Sequence, residues 1–266
     1  MSKTSTILNY DQSFRLGGYD LSGISDLSLN TEFAVQKIVS LGNKNYGFTK
    51  VGPSVGTVDF SRQLIYPDPV LNYTGASCCS GVFSYGGTSY GFESGYLNSY
   101  SVSCSVGQVP SVSAVIGVYG EMKSGAANHT GVAHPSIFVP SQRSIQISNS
   151  YGSSNRIESF DYSLEISREP KYSVGSSLFP DAVVKNGPIN ISASATFSVG
   201  GFSPLDLQNF VRYVSAPTFS IEIKNRDLSQ TLMALPVSNA QIISQQIQGT
   251  VDSPLKITLN YEGYLE

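Results

Sequence analysis

The sequence predicts a mainly β protein made of two similar units, and three observations carry that reading. Period-two alternation of apolar and polar residues recurs along the chain, whereas only two stretches have helix-start signals. Gly, Ser, Pro and Asn punctuate the alternating runs. One stretch also occurs twice. Arg156–Phe197, RIESFDYSLEISREPKYSVGSSLFPDAVVKNGPINISASATF, is echoed by Gly23–Phe60, GISDLSLNTEFAVQKIVSLGNKNYGFTKVGPSVGTVDF. Ile24 matches Ile157, while Leu27, Leu29 and Phe33 fall on Phe160, Tyr162 and Ile166. Ser40 and Gly42 fall on Ser173 and Gly175; after a short slip, Gly52-Pro53 falls on Gly187-Pro188 and Asp68-Pro69 on Ser203-Pro204.

Met1–Ser22 is polar with a turn at Gly17-Gly18, and reads as an arm or a first short strand. From Leu27, one side carries Leu27, Leu29, Thr31, Phe33 and Val35, as a strand with one buried face requires. Leu41-Gly42 ends it, Gly52-Pro53 is a turn, and Thr57–Ile65 forms the next strand. Asp68-Pro69 starts a short helix, with Asp as cap and Pro in the first turn. Gly75–Tyr100, rich in Gly, Ser and Tyr, reads as a long hairpin projecting from the domain, since a structureless loop of that length is rare. Val102, Cys104 and Val106 alternate, as do Val112, Ala114, Ile116 and Val118. Glu121–Ser141 has no periodicity and reads as a connector or second loop.

The second half opens with a strand at Ile145–Ile147. Phe160, Tyr162, Leu164 and Ile166 alternate next, then Ile189, Ile191, Ala193, Ala195 and Phe197. Phe202–Val214 is the best helix in the chain, with Ser203 as cap, Pro204 in the first turn and a stripe of Leu207, Phe210, Val211 and Val214. Phe219–Lys224 and Leu255–Tyr261 read as strands around Arg226-Asp227. The halves close alike, Ile116-Val118-Tyr119-Gly120 against Leu259-Tyr261-Gly263. The expected organisation is a first unit over residues 1–122 with a projecting loop at 75–100, a connector at 123–144 and a second unit over 145–266, each unit with about one short helix.

Composition narrows the function. The chain has 266 residues with 40% hydrophobic residues, enough for real cores. Charged residues are 13%, about half the usual share, so the surface is Ser, Thr, Asn, Gln and Tyr or is covered by partner subunits. A net charge of −3 argues against a surface that grips nucleic acid. Three cysteines, the vicinal Cys78-Cys79 and Cys104, fit reduced thiols, buried or half-buried, better than a disulfide framework. MSKTSTILNY lacks a signal-peptide pattern, and the longest apolar runs, such as Ala114–Gly120, fall far short of a membrane span.

Candidate chemistry is sparse. Gly87-Thr88-Ser89-Tyr90-Gly91 spells the G-x-S-x-G of a nucleophile elbow, but that elbow needs a strand, a sharp turn and a helix, and no helix follows. His129 and His134 are the only histidines and sit in a loop without the three or four convergent ligands of a metal site. Asp161 and Glu165 share a strand face about 13 Å apart at strand rise, too far for the ~5–9 Å of a glycosidase pair. Glu158, Asp161, Glu165 and Glu169 therefore read as a solvated or interface face, and Arg168-Glu169-Pro170-Lys171 as an inter-subunit or turn salt-bridge set. The 16 Tyr and 13 Phe read as core and interface packing. The expectation is a non-enzyme without catalytic, cofactor-binding or metal-binding residues and without a cofactor.

The repeated segment resembles the tail tube proteins of long-tailed bacteriophages. The resemblance lies in SFDYSLEISREPKYSVG followed by GPINISASATF, and in DLSLNTEFAVQKIVSLG followed by GPSVGTVDF, where Val35-Gln36-Lys37 replaces the Arg-Glu-Pro of the second copy. It covers about half of the chain. It implies units that are β-sandwiches or half-barrels with a flanking helix, six of them in a ring, and rings stacked into a DNA-conducting tube. A chain with two fused units would form that ring as a homotrimer and pseudo-hexamer. The implied partners are further copies of the chain, the tape measure, tail terminator and distal tail proteins, and DNA passing through the lumen without specific binding. The implied location is the virion tail, assembled in the host cytoplasm without a membrane. Competing readings are a distal-tail or baseplate ring, a host- or glycan-binding β-sandwich, and a hydrolase using Ser89.

Overall fold

The computed structural model describes residues 12–38, 47–85, 88–125, 137–149, 152–154, 156–174, 178–198, 215–250 and 253–265. The expected helix at Phe202–Val214, the Leu41-Gly42 strand end, and His129 and His134 lie outside the described residues. The first half comprises β1 (Gln12–Leu16), β2 (Tyr19–Asp20), β3 (Ile24–Ile38), β4 (Gly47–Gln63), β5 (Cys79–Tyr85), β6 (Thr88–Ser105), β7 (Ser111–Val118) and β8 (Met122–Ser124). The second comprises β9 (Ile145–Asn149), β10 (Gly152–Ser154), β11 (Ile157–Glu165), β12 (Arg168–Lys171), β13 (Ala182–Lys185), β14 (Ile189–Ser198), β15 (Ser215–Lys224), β16 (Thr231–Thr250) and β17 (Ser253–Leu265). The protein is mainly β, and its helical segments among the described residues are two short 3-10 helices, Pro69–Tyr73 and Gln142–Ser144.

All described strand pairs are antiparallel, in a 15-stranded sheet plus the separate β12–β13 ribbon. Neighbours run β2-β1-β5-β6-β7-β4-β3 in the first half and β10-β9-β15-β16-β17-β14-β11 in the second. The two halves thus share one connectivity. They share register as well. Leu27 faces Phe60 and Leu29 faces Val58 across β3–β4, as Phe160 faces Ala195 and Tyr162 faces Ala193 across β11–β14. Val58 faces Ile116 across β4–β7, as Ala193 faces Tyr261 across β14–β17. Ile116 therefore corresponds to Tyr261, two residues from the alignment that sequence similarity suggests. A bulge recurs at matching places, between Leu97 and Ser99 on β6 and between Ile242 and Ser244 on β16.

The halves are joined by β6 and β11, which pair from Ser99↔Glu165 to Ser105↔Ser159. A single buried cluster runs across the join, with Val102, Phe160, Tyr162 and Leu164 beside Phe219, Leu235 and Tyr261. Alternation is the cause: β11 is buried at Phe160, Tyr162 and Leu164, and β14 at Ile189, Ile191, Ala193, Ala195 and Phe197.

Several local expectations change. The 75–100 hairpin exists as β5 and β6, but it lies within the sheet, between β1 and β7, instead of projecting. Its glycines are packing positions: the Phe92 ring lies where a Cβ on Gly81 or on Gly95 would sit, 2.4 Å away in each case. Gly52-Pro53 is no turn. It lies inside β4, where the register with β3 shifts between Phe33↔Ser54 and Val35↔Lys50, so the Gly-Pro pair makes a bulge. Its counterpart Gly187 does turn, at φ 72°. Asp68 caps the Pro69–Tyr73 helix as expected, accepting a hydrogen bond from the Val70 N–H at 2.9 Å. β16 has no counterpart in the sequence reading. Its alternation holds through Met233, Leu235 and Val237 and is interrupted at Asn239, whose φ is positive (48°).

Burial has a consequence at high pH. Cys79 and Cys104 are buried, and burial pushes their thiols up to about 12 and about 11. Burial, with the Asp68 carboxylate adding to it, likewise raises Tyr100 well above the ordinary phenol value. These groups stay neutral when folded but ionise near pH 8.5–10 once unfolded, so their stabilisation is complete below that range and is lost as pH rises towards the folded values. Melting should drop by roughly 5–10 °C between about pH 8 and pH 10.5. A melting temperature flat across that interval would contradict the buried assignment.

Candidate functional site

The structure disperses the residues that could have formed a catalytic site. Ser89 lies on β6 opposite Ser84 of β5, and the chain continues as strand to Ser105 instead of turning into a helix. Gly87 lies outside the described residues. Asp161 and Glu165 are exposed on β11, with Ser103 and Ser99 opposite on β6 and Ser194 and Asn190 opposite on β14. Glu158 is paired with Lys256 at 2.6 Å. Cys79 donates to the Gly95 carbonyl at 3.3 Å, whereas Cys78 is exposed, against expectation. All three thiols are free. No three His, Cys, Asp or Glu side chains converge as metal ligands among the described residues.

What the geometry does concentrate is surface for strand pairing. The β6–β11 junction shows how one half receives the other. On its inner face Cys104, Val102 and Tyr100 meet Phe160, Tyr162 and Leu164, with Val102 and Phe160 each 1% exposed. On its outer face Ser103 and Ser101 meet Asp161 and Ser163. The Ile166 N–H donates to the Asn98 carbonyl at 2.7 Å, extending the contact past the bulge. Arg168 completes it. Its guanidinium donates to the carbonyls of Gly75 at 2.6 Å, Leu97 at 3.4 Å and Tyr73 at 3.5 Å, and stands 5.6 Å over the Tyr96 ring. Partial burial lowers its pKa while Tyr96 and Tyr119 oppose that shift. The charged Arg168–Lys171 set is thus a clamp within the chain, where Lys171 pairs with Glu169 and Asn186 holds the same carboxylate at 2.9 Å.

The strands equivalent to the two sides of this junction are β3, which flanks β4, and the part of β16 beyond Gln241, which flanks β17. Among the described residues, β3 pairs only with β4, and β16 beyond Gln241 pairs only with β17. Apolar positions buried at the junction lie open here. Ile247, the counterpart of Val102, is 60% exposed, and Ile243 is 55% exposed. Leu27 and Leu29, counterparts of Phe160 and Tyr162, are only half-buried, and Val35, the counterpart of Arg168, is 53% exposed. Alternation marks Leu27, Leu29 and Val35 as core-facing, but β16 carries no such signal along its length.

No protein-family model matches the chain, and comparison with curated proteins finds no match.

Proposed function

We propose that this chain is a self-assembling structural subunit of the phage tail-tube type, forming rings that stack around a DNA-conducting lumen. The observation that carries the reading is a pair of strand edges that have no strand partner among the described residues and whose internal counterparts form a buried strand junction. Open edges with apolar rows invite pairing, and a head-to-tail contact of unlike edges generates a closed ring or a helical filament. Two units per chain make a trimer a pseudo-hexamer. The low share of charged residues suits a surface that is largely interface. The exposed carboxylates of Asp161 and Glu165 suit a lumen that repels phosphates, since basic contacts would grip DNA through counterion release.

Negative-stain electron microscopy across a concentration series tests this. Hollow stacked rings with threefold or pseudo-sixfold end views are the expected result. Single rings that never stack would favour a distal-tail or baseplate component, and monodisperse particles would overturn the assembly reading. A tube whose lumen proved basic would reject the repulsion mechanism.

A further inference from the structure

The internal junction specifies, residue by residue, how one copy meets the next. We infer that the outer edge of β16, over Gln246–Thr250, pairs antiparallel with the outer edge of β3, over Asp26–Asn30, of a second copy of this chain. The inference deepens the ring reading and rests on it. Its register follows from the duplicated connectivity. Asn30 falls opposite Gln246, Leu29 opposite Ile247, Ser28 opposite Gln248, Leu27 opposite Gly249 and Asp26 opposite Thr250. These pairs reproduce Ser163↔Ser101, Tyr162↔Val102, Asp161↔Ser103, Phe160↔Cys104 and Ser159↔Ser105 within the chain.

Three features favour a second copy as the occupant. First, the strands that would receive it already hold the required register on their inner sides: β3 against β4 as β11 against β14, and β16 against β17 as β6 against β7. Second, the side chains match across the proposed contact. Leu29 meets Ile247 on one face, Asn30 and Ser28 meet Gln246 and Gln248 on the other, and the large Leu27 meets Gly249. No like charges oppose each other. Third, the edge sequence lacks the usual guards against pairing. Folded monomers blunt exposed edges with Lys, Pro or short strands, yet Ser244–Thr250, SQQIQGT, has no charge and no Pro and ends a 20-residue strand. The clamp also changes character as a copy-to-copy contact requires. Arg168 and Asn98 at the internal junction are replaced by Val35 and Ile243, an apolar pair that water would otherwise cover.

Paired cysteines test the register in chains carrying Cys78→Ser. N30C/Q246C should cross-link between copies on mild oxidation, roughly tenfold more than the slipped pair N30C/Q248C, because directly opposed Cβ atoms lie closer than diagonal ones. S101C/S163C should cross-link within one chain at any concentration and calibrates the geometry. Ile247→Lys should abolish assembly while leaving the monomer's melting temperature unchanged, since the side chain is exposed. Rings that form without the N30C/Q246C cross-link, or that tolerate Ile247→Lys, would overturn this register and leave the ring reading standing. Cross-linked open chains without rings would uphold the pairing and reject the ring. Monomers throughout, unaffected by either change, would reject both.

Discussion

Asp68→Ala should lower the free energy of unfolding by about 3–5 kcal/mol, because it strands a buried cation. The Arg62 and Asp68 side chains are each fully buried, with Nη2 and Oδ1 3.1 Å apart. Burial alone would lower the Arg62 pKa, but Asp68, with Tyr66 and Tyr100, raises it above the ordinary value, so the guanidinium stays charged. Asp68 also accepts from the Tyr100 hydroxyl at 2.7 Å and from the Val70 N–H at 2.9 Å, tying the 3-10 helix to β6. The guanidinium stands 4.5 Å over the Tyr66 ring, and Tyr66 in turn donates to the Asp20 carbonyl at 3.0 Å. Removing one partner leaves the other charge without its counter-ion, whereas replacing both removes the charge altogether. Arg62→Met with Asp68→Asn should therefore recover most of the loss, and denaturant melts of the parent and the two variants measure it. An Asp68→Ala chain within about 1 kcal/mol of the parent would show that the pair contributes no more than an exposed one.

Gly95→Val should destabilise by about 3 kcal/mol or more, at the upper end for overpacking. A Cβ there would stand 2.4 Å from Phe92 Cε2, 2.9 Å from Ile116 Cγ2 and 3.1 Å from Cys79 Sγ, with Phe92, Ile116 and Cys79 all buried. No flexible surface side chain can yield. Gly95→Ala meets the same Phe92 atom, and adding Phe92→Leu should restore part of the stability by vacating that ring position. Thermal melts of the single and double variants decide it: independent, additive losses would show that Phe92 is not what excludes the methyl.

Much of this fold is legible in the sequence because period-two alternation states which face of a strand is buried. Phe160, Tyr162 and Leu164 announce β11, and Val112, Ala114, Ile116 and Val118 announce β7. The cap at Asp68-Pro69 is legible for a local reason: an N-cap hydrogen bond spans two residues. The repeat was visible as shared hydrophobic phase, which the duplicated register expresses directly. Harder to read are segments whose pattern is set by neighbours far away. β16 carries Pro236, which speaks against a strand, and a left-handed Asn239, and its second half is Gln-rich, so no continuous alternation runs along it. Gly81 and Gly95 suggest a loop until Phe92 is placed on them.

The sequence by itself therefore determined the β class, the shared pattern of the two halves and the capped turn, all of which rest on local chemistry or on spacing along the chain. Only the tertiary structure decided that Arg168 clamps one half to the other, that Arg62 and Asp68 are sealed inside, and that Ile247 lies open where Val102 is covered. Those facts depend on which strand lies beside which. Pairing between strands distant in sequence is fixed by the closure of the whole sheet, and no local pattern of residues encodes it.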